Sequence, residues 1–218
     1  MSETIAVIDY GMGNIRSVQK ALESSGARTK VTSCPADIEK CAKIVFPGVG
    51  AFGDAMRELK RRGLDLAIKR AVGEGKPFLG LCLGLQLLFE KSEEAPGVKG
   101  LGLLSGEVRR FRLRKSGLKV PHMGWNSINV KCKKQNAKFK RRKAEAGILD
   151  GVKDGSYVYF VHSYYVKHRD KSVVLTTTEY GSEFVSCICS GNTYALQFHP
   201  EKSQATGLKI LSNFIKSI

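Results

Sequence analysis

Apolar residues in the first hundred positions fall into short blocks separated by amphipathic stretches. The blocks Ile5–Ile8, Thr29–Val31, Ile44–Phe46 and Phe78–Leu81 predict buried strands. Between them, apolar positions at helical spacing predict helices over Ile15–Ser24, Asp54–Arg62 and Leu64–Val72. Strands alternating with helices imply a mostly parallel sheet flanked by helices. After Gly100 strand follows strand, with candidates at Gly106–Arg110, Ser127–Val130, Tyr157–Val161, Val173–Thr178, Val185–Cys189 and Thr193–Phe198, then a closing helix over Gly207–Lys216. Consecutive strands without crossover helices pair antiparallel. The expected fold class is therefore α/β, one domain over residues 1–218: an open, mostly parallel sheet with additional antiparallel strands in its C-terminal half.

Composition agrees with that reading. With 218 residues, 42% of them hydrophobic, the chain can bury the core of one domain. No apolar run reaches the roughly 18 residues needed to span a bilayer, and Met1-Ser2-Glu3-Thr4 carries no signal-peptide pattern. A cytoplasmic protein without a membrane segment is expected. Its six cysteines, at 34, 41, 82, 132, 187 and 189, are then expected reduced. Cys187-Ile188-Cys189 is a single C-x-C without a second ligand pair, so neither a metal nor a cofactor is predicted, and the two thiols are expected on one strand face.

The chemistry concentrates in three places. Cys82 stands between Gly80 and Gly84 where an apolar strand turns into an apolar helix, the pattern of a displayed thiol nucleophile. The helix that follows points its N-terminus at the sulfur, favouring negative charge there. The competing reading is a buried core cysteine. His199 and Glu201 follow the run Tyr194-Ala195-Leu196 two positions apart; if the strand continues through Pro200, both side chains share a face and the carboxylate orients the imidazole. Here the alternative is a satisfied strand-end histidine. Pro47-Gly48-Val49-Gly50 after the third strand is either an ordinary turn or a loop whose N–H groups form an oxyanion hole. Gly11-Met12-Gly13 is not a dinucleotide fingerprint, because Arg16 stands where the third glycine belongs.

Gly80-Leu81-Cys82-Leu83-Gly84, Pro47-Gly48-Val49-Gly50 and His199-Pro200-Glu201 together resemble the class I, or triad, glutamine amidotransferases. Asp9–Asn14, Pro121–Asn126 and Tyr159–Tyr164 are similar to the glutaminase subunits of that family that supply ammonia for histidine biosynthesis. The resemblance implies glutamine as substrate and a Cys82-His199-Glu201 triad. It further implies oxyanion donors from Gly48, Val49, Gly50 and Leu83, and a glutamine pocket lined by Gln86, Glu94, Ser163 and Tyr164. A (β/α)₈-barrel cyclase is the implied heterodimer partner, met at or near Asn14, Trp125, Tyr159 and Lys202. It also implies a glutaminase that stays nearly silent until the partner binds its own substrate, with the Val49 peptide as the moving part. A paralogous glutaminase serving a surface-sugar or pyridoxal phosphate synthase shares the triad and is the nearest rival.

Charge is the departure. The net charge is +16, and Lys131–Lys143 supplies eight positive residues and no acid, with Arg109, Arg110, Arg112, Arg114 and Lys115 as a second cluster. The 34 positions from Trp125 to Tyr159 exceed the spacing the resemblance leads one to expect, which suggests a basic surface insertion around 131–155. A solvated loop is the simplest reading. Steering toward an acidic partner or a phosphate-bearing substrate comes next. Nucleic-acid binding is disfavoured, because Phe139 is the only aromatic in the run and no nucleic-acid motif accompanies it.

Overall fold

The computed structural model describes residues 4–113, 117–131 and 147–217. The first half comprises β1 (Thr4–Ile8), α1 (Ile15–Ser24), β2 (Arg28–Thr32), α2 (Pro35–Lys40), β3 (Lys43–Phe46), α3 (Phe52–Arg61), α4 (Leu64–Gly73), β4 (Phe78–Leu81) and α5 (Leu83–Leu87). The second half adds β5 (Lys91–Ser92), β6 (Gly106–Arg110), β7 (His122–Ser127), β8 (Asn129–Val130), β9 (Tyr157–His162), β10 (Tyr164–His168), β11 (Val174–Glu179), β12 (Glu183–Ser190), β13 (Thr193–Leu196) and α6 (Gln204–Ser217).

Eight strands form the central sheet in the order β2-β1-β3-β4-β13-β12-β11-β8, parallel from β2 to β13 and antiparallel beyond. Strands β3, β4 and β13 are buried along their whole length, which is why they read as continuous apolar runs. Their side chains alternate between two cores. Ile44, Phe46, Phe78 and Ala195 pack toward α3 and α4, while Val45, Leu79, Leu81, Tyr194 and Leu196 pack toward α1 and α6. The helices meet these faces with residues three and four apart, such as Ala55, Met56 and Leu59 of α3 and Leu64, Ala67, Ile68 and Ala71 of α4.

This topology positions the site. Strands β4 and β13 are parallel neighbours with Leu81 opposite Leu196, and β3 lies on the other side of β4 with Phe46 opposite Gly80. The chain therefore leaves β3, β4 and β13 at one carboxyl edge, where ligands of open α/β sheets bind. Two smaller sheets, β7-β9 and β10-β6-β5, stand beside that edge.

Several boundaries differ from expectation. Helix α2 has a single buried residue, Ile38, and six residues are too few to show a period. The strand expected over Ser127–Val130 is broken: Ser127 closes β7, Ile128 is buried between, and β8 holds only Asn129 and Val130. Strand β7 hides in His-Met-Gly-Trp-Asn-Ser, which has no β-branched residue to signal it. Only Ser163 separates β9 from β10, yet β9 pairs with β7 and β10 with β6. The basic run lies outside the described residues after Lys131, as do Arg114 and Lys115. At the far end of the expected surface insertion, Ile148 is fully buried and Asn213 of α6 binds the carbonyls of Ile148 and Asp150 at 3.0 and 2.8 Å. Ile148 thus belongs to the core, while Asp150, Gly151 and Lys153–Gly155 after it are exposed.

Among the described residues no helix is long and apolar enough to cross a membrane. Cys187 and Cys189 are both buried and project into the same core, as their spacing on β12 requires.

Candidate active site

Cys82 joins β4 to α5 with φ 52° and ψ −106°, a left-handed conformation rare for a side-chain-bearing residue. Its amide donates to Leu196 O at 2.7 Å, which ties the turn to β13. The glycines around it serve packing. A Cβ on Gly84 would collide with the Phe46 carbonyl of β3, and one on Gly80 would lie 3.0 Å from the Gly84 carbonyl oxygen. Close approach of α5 to the sheet is what these glycines provide. The thiol is 6% exposed, 3.8 Å from Val161 O and 3.8 Å from Gln197 Nε2.

His199 and Glu201 come together by a route other than the expected one. Strand β13 ends at Leu196, and Pro200–Lys202 form a 3₁₀ turn, so strand alternation does not pair them. The turn itself brings Glu201 Oε1 to 2.8 Å from His199 Nδ1. Both side chains are buried. His199 N donates to Tyr159 O at 2.9 Å, and Ser203 Oγ donates to His199 O at 2.6 Å while accepting from Tyr159 N at 2.9 Å. The hydroxyl of Ser203 thus locks the turn to β9, a role that a lone serine in the sequence does not announce.

Burial lowers the proton affinity of His199, but the Cys82 sulfur beside it and the bonded Glu201 outweigh burial and raise its pKa to about 10. Nε2 has no hydrogen-bond partner among the described residues, so Cys82 acts through proximity rather than a formed bond. One ring nitrogen is oriented and the other is free.

The oxyanion loop differs from the expected arrangement in one contact. Leu83 N donates to Gly48 O at 3.2 Å, so one of the four expected donors is already engaged, and by the loop itself. Gly50 adopts φ 108° and Val49 is 38% exposed.

A cavity of about 240 Å³ opens onto the sulfur, lined by Val49, Gly50, Leu83, Gln86, Glu94, Ser163 and Tyr164 among others. All four residues expected to line the substrate pocket meet there. Gln86 Nε2 donates to Tyr164 O at 3.0 Å and to Gln197 Oε1 at 3.2 Å, while Glu94 Oε2 accepts from Phe52 N at 2.9 Å at the start of α3. Gln197, fully buried between Gln86 and the sulfur, falls inside the strand expected over Thr193–Phe198, and nothing in the sequence distinguishes it from its neighbours there.

Behind the cavity runs a chain of neutral histidines. His162 Nδ1 donates to Tyr164 O at 2.8 Å, leaving its Nε2 to accept from His122 Nδ1 at 3.0 Å. His122 Nε2 then accepts from Asn126 Nδ2 at 3.3 Å. Every ring nitrogen has a fixed role, and an added proton would set donor against donor. Burial lowers the pKa of His122 to about 4; burial first, opposed by the Tyr164 carbonyl and reinforced by His122 and His199, lowers that of His162 to about 3. Both folded values lie below the ordinary value of 6.5, so the unfolded chain binds more protons and stability is full above pH 6.5 and lost as pH falls toward 4. His199, with its raised pKa, contributes fully throughout that window and does not mask the loss. The melting temperature is expected to fall between pH 6.5 and 5 and to fall less steeply in His162→Gln; equal slopes would count against the neutral chain.

Gly207 of α6 sets the position of the Glu201 turn. A Cβ there would collide with Pro200 O and lie 2.9 Å from Pro200 Cα, backbone that cannot swing aside. Gly207→Ala is expected to displace the turn, lowering turnover at the Cys82 site roughly tenfold to a hundredfold together with the melting temperature. Wild-type turnover in that variant would show that the turn has slack.

Three of the four expected interface residues form one cluster, with Trp125 and Lys202 exposed around a half-buried Tyr159. Trp125 packs edge-on to Tyr159 with ring centroids 6.0 Å apart, and Lys202 Nζ sits 5.7 Å from the Tyr159 ring centroid. Trp125 is 46% exposed, and Met123 and Tyr157 beside it are 63% and 61% exposed. Asn14, exposed at the start of α1, shares a small recess with Val49, His199 and Glu201.

A thiol on a strained strand-to-helix turn, an imidazole–carboxylate pair at the next strand end and a glycine loop between them define a cysteine-dependent amidohydrolase site. The family description "Glutamine amidotransferase class-I" matches residues 6–218, and the chain belongs to that family. Curated relatives include "Imidazole glycerol phosphate synthase subunit HisH" of Aquifex aeolicus, 54% identical over 95% of this chain and 94% of the relative. The protein of the same name from Rhodopirellula baltica is 48% identical over 96% of each chain. Among solved structures, "Structure of PurLQS from Thermotoga maritima" superposes with TM-score 0.72 at 20% identity, covering 99% of this chain and 98% of that one. That likeness speaks for the fold alone.

Proposed function

We propose that this chain is the glutamine-hydrolysing subunit of an imidazole glycerol phosphate synthase, working with a (β/α)₈-barrel cyclase. The observation that carries the reading is the meeting of Cys82 with the His199–Glu201 pair at the ends of two adjacent parallel strands. The Cys82 sulfur, its proton passed to His199 Nε2, attacks the side-chain amide carbon of glutamine. The carbonyl oxygen becomes an oxyanion. His199 returns the proton to the leaving nitrogen, ammonia departs, and a glutamyl thioester remains on Cys82. His199 then takes a proton from water, hydroxide attacks the thioester, and glutamate leaves as the sulfur regains its proton. Glu201 holds the ring so that Nε2 faces the reaction.

The relatives' names support the histidine-pathway partner over a paralogous synthase. Exposed Met123, Trp125 and Tyr157, together with Lys202, supply the aromatic-rich, singly charged surface that protein interfaces favour. The contact between Leu83 N and Gly48 O supports a resting state in which the oxyanion hole is closed.

The test mixes the purified chain with the barrel cyclase, its ribonucleotide substrate and amide-labelled glutamine at neutral pH. Label is expected in imidazole glycerol phosphate. Product formed only when ammonium salt is added would overturn the reading.

A further inference from the structure

We propose that Tyr10 is a positioning residue for the oxyanion loop: its hydroxyl waits for the Gly48 carbonyl and binds it when the Gly48–Val49 peptide turns its N–H toward the substrate. The inference rests on the glutaminase reading above. Tyr10 stands two residues after β1, is fully buried, and its Oη has no hydrogen-bond partner among the described residues. A buried hydroxyl without a partner carries the penalty of a lost hydrogen bond. The ring is well seated, 5.5 Å from Phe46 at 54°, and a phenylalanine would fill that place without the penalty. The hydroxyl therefore needs an explanation that the resting fold does not supply.

Its surroundings point to one. A Cβ on Gly48 would collide with Tyr10 Oη and would lie 3.0 Å from Leu83 Cβ and 3.2 Å from Gly84 N. Phenol, loop and the start of α5 meet at a single point. In the closed state the Gly48 carbonyl is satisfied by Leu83 N. Opening the hole requires Leu83 N to be released for the oxyanion, and the carbonyl then loses its donor among the buried side chains of Tyr10, Phe46 and Leu83. An orphaned acceptor and an orphaned donor side by side are both satisfied by one bond. Burial, and after it the nearby Cys82 and Asp9, raise the pKa of Tyr10, so the hydroxyl keeps the proton it would donate.

The same segment touches the loop at its other end. A Cβ on Gly50 would strike Met12 Cε, and Gly13 stands against Gly48. Residues 10–14 thus hold the oxyanion loop at both glycines, and Asn14 carries that segment to the exposed face expected to meet the cyclase. Pressure from a partner on this segment reaches the loop directly.

Tyr10→Phe in the complex with the cyclase and its ribonucleotide tests the inference. Glutaminase kcat is expected to fall about five- to tenfold, the value of one net hydrogen bond, with the glutamine KM within about twofold and the melting temperature of the isolated chain not lowered. A tyrosine with a merely structural role would give the reverse, a lower melting temperature with kcat intact. A wild-type chain that gains nothing from the liganded cyclase sinks the gate and this inference together; a stimulated wild type matched by Tyr10→Phe sinks this inference alone. A crystal structure of the stimulated complex gives a second measurement, with Tyr10 Oη expected about 3 Å from Gly48 O. Gly48 still bonded to Leu83 in that complex would overturn it.

Discussion

Cys82→Ala is expected to lower glutaminase turnover at least ten-thousandfold while glutamine binding and the fold persist. The magnitude follows from the role of the sulfur: without it no thioester forms, and the remaining groups give only the residual acceleration of a binding pocket. The fold should persist because the sulfur's two polar contacts, to Val161 O and Gln197 Nε2, are both 3.8 Å long and weak. Glutamine affinity by calorimetry and turnover by glutamate release separate the two properties. Hydrolysis retained in the alanine variant would remove Cys82 from the chemistry and the triad with it.

The second large effect is expected without any substitution. On the proposed function, adding cyclase with its ribonucleotide bound should raise glutaminase kcat by about 10² to 10³, because one oxyanion donor is worth about 2.7–4 kcal/mol and Leu83 N, now bonded to Gly48 O, would be released. Glutamine KM should change far less, since the donor acts on charge that develops only in the transition state. The cyclase alone, without its ligand, should do little if the loop responds to the partner's occupied state. Steady-state turnover of the isolated chain, the empty complex and the liganded complex decides this. An isolated chain already at full speed would mean that the Leu83–Gly48 contact is no barrier.

The site was legible where it depends on residue types in order, and illegible where it depends on approach in space. Cys82 between glycines and His199 two residues before Glu201 are visible as motifs, but the contacts that place them are not. Gly84 is small because the Phe46 carbonyl of β3 leaves no room for a side chain, a contact across 38 positions of sequence. Glu201 reaches His199 through a 3₁₀ turn held by Ser203 and Tyr159, where alternation along a strand had been expected. Gln197 falls inside the strand expected over Thr193–Phe198 and Tyr10 inside the Asp9–Asn14 motif, but neither pattern says what the side chain meets. Strands β7 and β10 were missed for a related reason, since pairing across the smaller sheets stabilises segments whose own propensity is weak or whose boundary is one residue wide.

By itself the sequence determined the order of buried strands, the parallel half of the sheet and the two catalytic motifs, because apolar periodicity and glycine placement act over a few residues and are written locally. Tertiary structure alone decided that β4 and β13 lie side by side, so that the sulfur and the imidazole share an edge. It also decided that Leu83 N is spent on Gly48 and that the buried Tyr10 hydroxyl lies close to Gly48. Hydrogen-bond partners separated by tens of residues are chosen by packing, and no local pattern encodes which of several donors a buried carbonyl will find.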